Sequence, residues 1–140
     1  MRTLLALVVS LPLLASPAEA GPMKEFMAHL GYLTTSVQNC QMFTVKETSY
    51  KACFLEGASP ELRITRGQEM ILDAGANGTL DEFRISDFVY TPQNTAPAHF
   101  ARLQQAYEKL IRDLVPISAQ EVRKKEELLL RSPFLKEFSP

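Results

Sequence analysis

A short acidic segment is the first place where this sequence could do chemistry. Asp73, Asn77 and Asp81 recur at every fourth position of the segment 73–84, and Gly78 stands where a calcium-binding loop turns sharply. Hard cations take oxygen ligands on turns of this kind. The spacing therefore suggests a cation site as one hypothesis, with calcium as the candidate ion and no other cofactor expected.

A plain hairpin is the favoured interpretation of the same segment, and the cation site is its alternative. Arg84 stands where a calcium loop carries its bidentate glutamate. Asn77-Gly78 between two alternating apolar segments is a strong signal for a tight hairpin turn. With that pair as the tip, Asp73 faces Glu82, and two like charges in direct opposition are destabilising. Either a cation or Arg84 could relieve this repulsion.

Cys40 and Cys53 are the only two cysteines. A pair in an oxidising compartment usually forms a disulfide. If Lys46-Glu47 is the tip of a hairpin, Cys40 falls opposite Cys53, so the disulfide and the strands share one register. We therefore expect a structural disulfide worth about 3 kcal/mol. A bridge from the end of the first helix to a strand is the alternative.

Residues 1–20 have the pattern of a cleaved secretory signal peptide. Arg2 precedes the apolar run Leu4 to Leu14, which is too short to span a bilayer, and Ala18-Glu19-Ala20 fits the specificity of signal peptidase. The working protein is then one exported domain, residues 21–140, in the periplasm or secreted. This compartment is also the one in which a disulfide persists.

Other catalytic signatures are absent from the sequence. It contains no G-x-S-x-G, H-E-x-x-H or glycine-rich phosphate loop. His29 and His99 are isolated in the chain, and a small hydrolase using one of them with a carboxylate is a third hypothesis. The net charge of −1 offers no basic surface for nucleic acid. No later apolar stretch reaches membrane length, so no membrane span is expected in the mature chain.

The end of the chain is unexpectedly apolar. Phe134, Leu135 and Phe138 follow Pro133, in a region where chains usually fray into solvent. These side chains either fold back onto the core or bind a partner, which for an exported chain is another exported protein. The sequence therefore favours a small non-catalytic binding or interaction protein, with a cation-binding module as the alternative.

Hydrophobic periodicity predicts an α+β architecture. Apolar residues at helical spacing indicate a first helix from Pro22 to about Gln38. Alternating residues then predict a small antiparallel sheet of two hairpins, 41–55 and 69–90, with a further strand-like segment at 62–66. Two C-terminal helices follow, and Pro116 is expected to separate them.

The second of these helices is expected to begin with a capping box. Ser118 is the predicted N-cap, and Glu121 stands three residues later, where it can reach back to the cap. This helix should run to about Leu130 and end before Pro133.

Overall fold

Six strands form one antiparallel sheet in which each strand pairs with the next in sequence. The computed structural model describes residues 17–34 and 39–138, with side chains from residue 21 onward. The strands are β1 (Cys40–Val45), β2 (Thr48–Leu55), β3 (Glu61–Arg66), β4 (Glu69–Ala74), β5 (Glu82–Ile85) and β6 (Phe88–Tyr90). The helices are α1 (Pro17–Leu33), α2 (Pro97–Leu130) and α3 (Pro133–Phe138).

The α+β prediction is confirmed, but the sheet is larger than two separate hairpins. Strand β3 pairs with β2 on one side and with β4 on the other, so it joins the two predicted hairpins into one surface. Strand β6 then pairs with β5 and extends the sheet at its far edge. A continuous sheet of this size presents one whole face on which helices can pack.

The first hairpin has the predicted register. Cys40 pairs with Cys53, Val45 pairs with Thr48, and the disulfide Cys40–Cys53 is formed. Lys46 and Glu47, between the strands, both have positive φ, at 49° and 69°. Such a turn matches the twist of the flanking strands. The disulfide prediction is therefore confirmed together with the register from which it was derived.

The core lies between one face of the sheet and the two long helices. Side chains alternate along each strand, so every second residue of the sheet faces α1 and α2. The rings of Phe26 in α1 and Phe43 in β1 lie 5.6 Å apart. The other large buried apolar side chains are Met23, Leu30, Leu62, Ile64, Leu80, Tyr107, Ile111 and Leu114. We call the face of the sheet that packs against α1 and α2 its inner face.

Helix α1 is offset from its predicted position. It begins at Pro17, contains Pro22 in its interior and ends at Leu33. The predicted end near Gln38 falls in residues 35–38, which lie outside the described residues. Most of the predicted signal peptide, residues 1–16, also lies outside them. The signal peptide therefore stays a prediction.

The predicted break at Pro116 is wrong, because α2 continues through that residue. Proline in a helix interior costs roughly 3 kcal/mol. The buried stripe Tyr107, Ile111, Leu114 and Ser118 crosses the proline at helical spacing, and packing against α1 offsets the cost. Ser118 is therefore no N-cap, and the two C-terminal helices are instead divided between Leu130 and Pro133.

No helix in the described ranges, 17–34 and 39–138, is both long and apolar enough to cross a membrane. Helix α2 has the length, at 34 residues, but charged residues lie along its exposed face.

Loss of the disulfide should destabilise the fold without changing it. The bond closes a short loop, because its cysteines are 13 positions apart in the sequence, and removing it frees the unfolded chain. The variant Cys40→Ala/Cys53→Ala should lose about 3 kcal/mol of unfolding free energy in urea denaturation. Native protein should show no thiol that an alkylating reagent can modify. Two reactive thiols in freshly purified protein would contradict the disulfide.

Candidate functional site

The loop between β4 and β5 differs from the predicted two-residue turn. Leu72 pairs with Glu82 and Ile71 pairs with Phe83, so the register is one residue away from the expected one. The predicted opposition of Asp73 and Glu82 is therefore wrong. A shift of one residue moves a side chain to the other face of a sheet. Asp73 consequently lies on the inner face.

Burial of the Asp73 carboxylate explains this register. Its side chain is completely buried, with 0% exposure. One oxygen accepts the backbone N–H of Asn77 at 3.2 Å, and the other accepts the N–H of Gly78 at 2.9 Å. The hydroxyl of Tyr107 in α2 donates to that second oxygen at 2.5 Å. A buried carboxylate needs such donors; the longer loop brings two of them to it, and α2 brings the third.

Two further side chains hold the loop in place. The carboxylate of Asp81 accepts the backbone N–H of Ala74 at 2.7 Å. Gln104 of α2 accepts the N–H of Leu80 at 2.7 Å and donates to the carbonyl of Gly78 at 2.9 Å. Gly78 has a φ of 92°, a conformation that glycine adopts without strain. The loop is thus bonded both to itself and to α2.

Burial sets the protonation behaviour of this pair. It raises the pKa of the Asp73 carboxyl above its ordinary value, and the nearby Asp81 carboxylate adds to the increase. The hydrogen bonds from Tyr107 and from the backbone oppose that shift. Burial, together with the adjacent Asp73 charge, also raises the pKa of Tyr107 far above its ordinary value. The Tyr107 hydroxyl therefore stays protonated and remains a donor.

The predicted cation ligands are close together in the chain, but their oxygens have protein partners. Asp73 accepts three hydrogen bonds, Asp81 accepts one, and the side-chain oxygen of Asn77 accepts the N–H of Thr79 at 2.9 Å. Among the described residues, no group of three or more His, Cys, Asp and Glu side chains is placed to hold a metal ion. The calcium site stays a prediction.

The two histidines lie in different parts of the molecule. His29 of α1 is half-buried, and its Nδ1 lies 2.7 Å from the hydroxyl oxygen of Ser118. Ser118 donates to the carbonyl of Val115 at 2.8 Å, so it receives the imidazole N–H. His99 lies in the first turn of α2, 19 residues before Ser118, which is about 28 Å along the helix axis. The two imidazoles cannot act on one substrate atom.

The predicted partner-binding residues form a C-terminal arm, which we define as residues 126–138. Every residue from 123 to 131 is exposed. Leu128, Phe134 and Phe138 are 71%, 70% and 69% exposed, and the two phenylalanine rings lie 5.0 Å apart. Leu135 is half-buried. Phe134 and Phe138 therefore face solvent, and the arm leaves the body of the domain.

A groove that the sequence does not indicate lies between the sheet and the first half of α2. Its sheet side is formed by Phe83, Ile85 and Tyr90, and its cavity has a volume of about 500 Å³. A second cavity of about 220 Å³ adjoins it, because Phe83, Leu103 and Ala106 line both. We call these two cavities the sheet–helix groove. Apolar periodicity indicated each wall, but the space between them depends on where α2 lies over the sheet.

The raised pKa of Asp73 predicts a particular pH dependence. The folded state binds the Asp73 proton more tightly than the unfolded state, so this contribution to stability is complete below the ordinary pKa of 3.8. It is lost as the pH rises through the folded-state value. In urea denaturation from pH 3 to pH 7, the stability advantage of the native protein over Asp73→Asn should therefore shrink with rising pH.

The matched control is Asp87→Asn, which changes an exposed carboxylate in the β5–β6 turn. It should shift stability by less than about 0.5 kcal/mol. An advantage over Asp73→Asn that grew with pH would contradict the assigned direction of the pKa shift.

The calcium hypothesis predicts ligand-dependent stability. Millimolar calcium should raise the melting temperature by mass action on the native state. Asp81→Asn should abolish that increase, because it removes an exposed carboxylate of the loop, whereas Asp87→Asn should leave it unchanged. Absence of heat in calorimetric titration of the native protein with calcium would leave the loop as a hairpin connection only.

No family model, no curated protein and no solved structure matches this chain. The function of the protein must therefore be inferred from its own residues.

Proposed function

We propose that this chain is a small exported binding protein, without catalytic activity, that docks onto another exported protein through its C-terminal arm. The exposure of Phe134 and Phe138 at the end of the chain carries the proposal. Apolar side chains that stay in water gain nothing for the folding of their own domain.

The arm is separate from the core that stabilises the domain. The last fully buried residue of α2 is Ser118. Beyond it, Lys125 still contacts α1, because its ammonium donates to the carbonyl of Tyr32 and lies 4.5 Å from the centre of that ring. From residue 126 onward the helix extends into solvent, and Leu128, Leu129 and Leu130 are all exposed. A three-leucine run in that position is costly unless another surface covers it.

The composition of the arm indicates the chemistry of its partner. Residues 126–138 carry three acidic and two basic side chains, so their charges nearly cancel. Glu127 and Arg131 form an ion pair at 3.7 Å within the arm. Apolar contact must therefore supply most of the affinity. A protein with an apolar groove that accepts an amphipathic helix fits this requirement.

The absence of catalysis is part of the proposal, and the histidine geometry supports it. In the described part of the chain, neither His29 nor His99 hydrogen bonds to a carboxylate, which a hydrolytic histidine commonly uses for orientation. Ser118 donates its proton to Val115 rather than to His29. A small hydrolase therefore remains the weaker alternative.

Export is supported by two observations. The leader-like sequence of residues 1–20 precedes the domain. The Cys40–Cys53 disulfide is formed, and such bonds persist in oxidising compartments.

Photo-crosslinking tests the arm directly. A benzophenone amino acid placed at Phe134 should capture one defined exported protein in living cells of the source. The same group at Lys51, which is exposed on the outer face of the sheet, should not. The captured protein should then bind a purified peptide of residues 126–138 in calorimetry. Equal crosslinking from Phe134 and Lys51, or no crosslinking from either position, would contradict docking by the arm.

A stability measurement separates docking from folding. The variant Phe134→Ser/Phe138→Ser should change the unfolding free energy by less than about 0.5 kcal/mol per site, as exposed positions do. It should also lose the crosslink partner. A loss of 2–5 kcal/mol, typical of core truncations, would show instead that the arm belongs to the core.

A further inference from the structure

The sheet–helix groove offers an apolar surface that the rest of the domain leaves uncovered. At its open end, Phe88 is 68% exposed and pairs with Ile85, which is also exposed. By strand alternation both side chains lie on the inner face, beside Tyr90 and Phe83. Helix α2 therefore leaves the Ile85–Phe88 end of the β5–β6 hairpin uncovered.

Polar groups are confined to the two ends of the groove. At the closed end, Arg66 donates to Glu69 at 2.9 Å and to the Tyr50 hydroxyl at 3.1 Å, so these groups are already paired with one another. The hydroxyl of Tyr107 is bonded to Asp73. The remaining lining between the ends is aliphatic or aromatic. A peptide backbone lying there would leave its amides without partners, which costs free energy.

Among the described residues, the open end carries one unpaired positive charge, that of the Arg102 guanidinium. His99, Arg102, Leu103 and Ala106 share one face of α2, since their spacings are three, four and seven residues. Neither the Arg102 nor the His99 side chain makes a hydrogen bond or ion pair with any other residue of the described chain. In contrast, Arg66 is paired with Glu69 within 2.9 Å.

The start of α2 adds to this positive field. The helix has no side-chain N-cap and no acidic residue in its first turn. Its first backbone N–H groups carry partial positive charge and favour an anion nearby. His99 belongs to this first turn, and Thr95, which precedes the N-cap residue Ala96, also lines the groove.

We infer that the sheet–helix groove binds a long-chain carboxylate, with its acyl chain along the apolar floor and its carboxylate at Arg102 and His99. The ligand has one anionic group and no interior amides, which matches a lining that is apolar except at its ends. A cavity of about 500 Å³ is also within the ordinary range of small-molecule sites. This site is independent of the C-terminal arm.

Calorimetric titration of the full chain with hexadecanoate, below its micelle concentration, tests the inference. One equivalent should bind. Arg102→Gln should weaken binding roughly tenfold or more, since it removes a charge-assisted contact. Arg112→Gln is the matched control, because Arg112 is an exposed arginine of the same helix outside the groove lining, and it should leave binding unchanged. Hexadecanol, which lacks the charge, should bind more weakly than hexadecanoate.

Two more variants make the test decisive. Ala106→Phe fills the region shared by both cavities from an exposed position, and it should abolish binding while circular dichroism confirms the fold. Phe134→Ser/Phe138→Ser should bind hexadecanoate like the native protein, so failure of arm docking would leave this result untouched. Equal effects of Arg102→Gln and Arg112→Gln would overturn the inference. If the 126–138 peptide displaces a small apolar probe from the sheet–helix groove and hexadecanoate does not, the groove binds a peptide instead.

Discussion

The Asp73 carboxylate is the group around which the centre of this molecule is arranged. Burying a carboxylate away from water costs free energy. Three hydrogen-bond donors, two from the β4–β5 loop and one from α2, must therefore reach it in the folded state. Two of them require the β4–β5 loop to be longer than a tight turn. The third requires α2 to place Tyr107 directly over β4. The loop, the register of β5 and the position of α2 are therefore coupled through one carboxylate.

Helix α2 connects this central arrangement with both proposed binding surfaces. Gln104 and Tyr107 hold the loop, while Arg102, Leu103 and Ala106 form one wall of the sheet–helix groove. The same helix continues through Pro116 and extends beyond the core as the arm. Because α2 is 34 residues long and continues through Pro116, one helix contributes both to the groove and to the arm. A helix ending at Pro116 would not reach the arm.

Local chemistry was enough to predict part of this fold. The first hairpin followed from the alternation of its residues, a two-residue turn and the pairing of Cys40 with Cys53, all of which depend on near neighbours in the chain. The α+β class followed from changes in hydrophobic period. The apolar end of the chain was visible as composition, although its burial was not. These features are determined by the sequence because each depends on a few consecutive residues.

Tertiary structure alone decided the rest, because distant groups had to meet. The turn preference of Asn77-Gly78 predicted a register that the buried Asp73 overrides, since its donor Tyr107 is 34 residues away. The cost of Pro116 predicted a break that packing of Ser118 against His29 of α1 overcomes, across 89 residues. The groove depends on where α2 lies over the sheet. The hydrophobic periodicity of the sequence does not specify that position. Local preferences are worth about 1–3 kcal/mol, and long-range burial decided both conflicts.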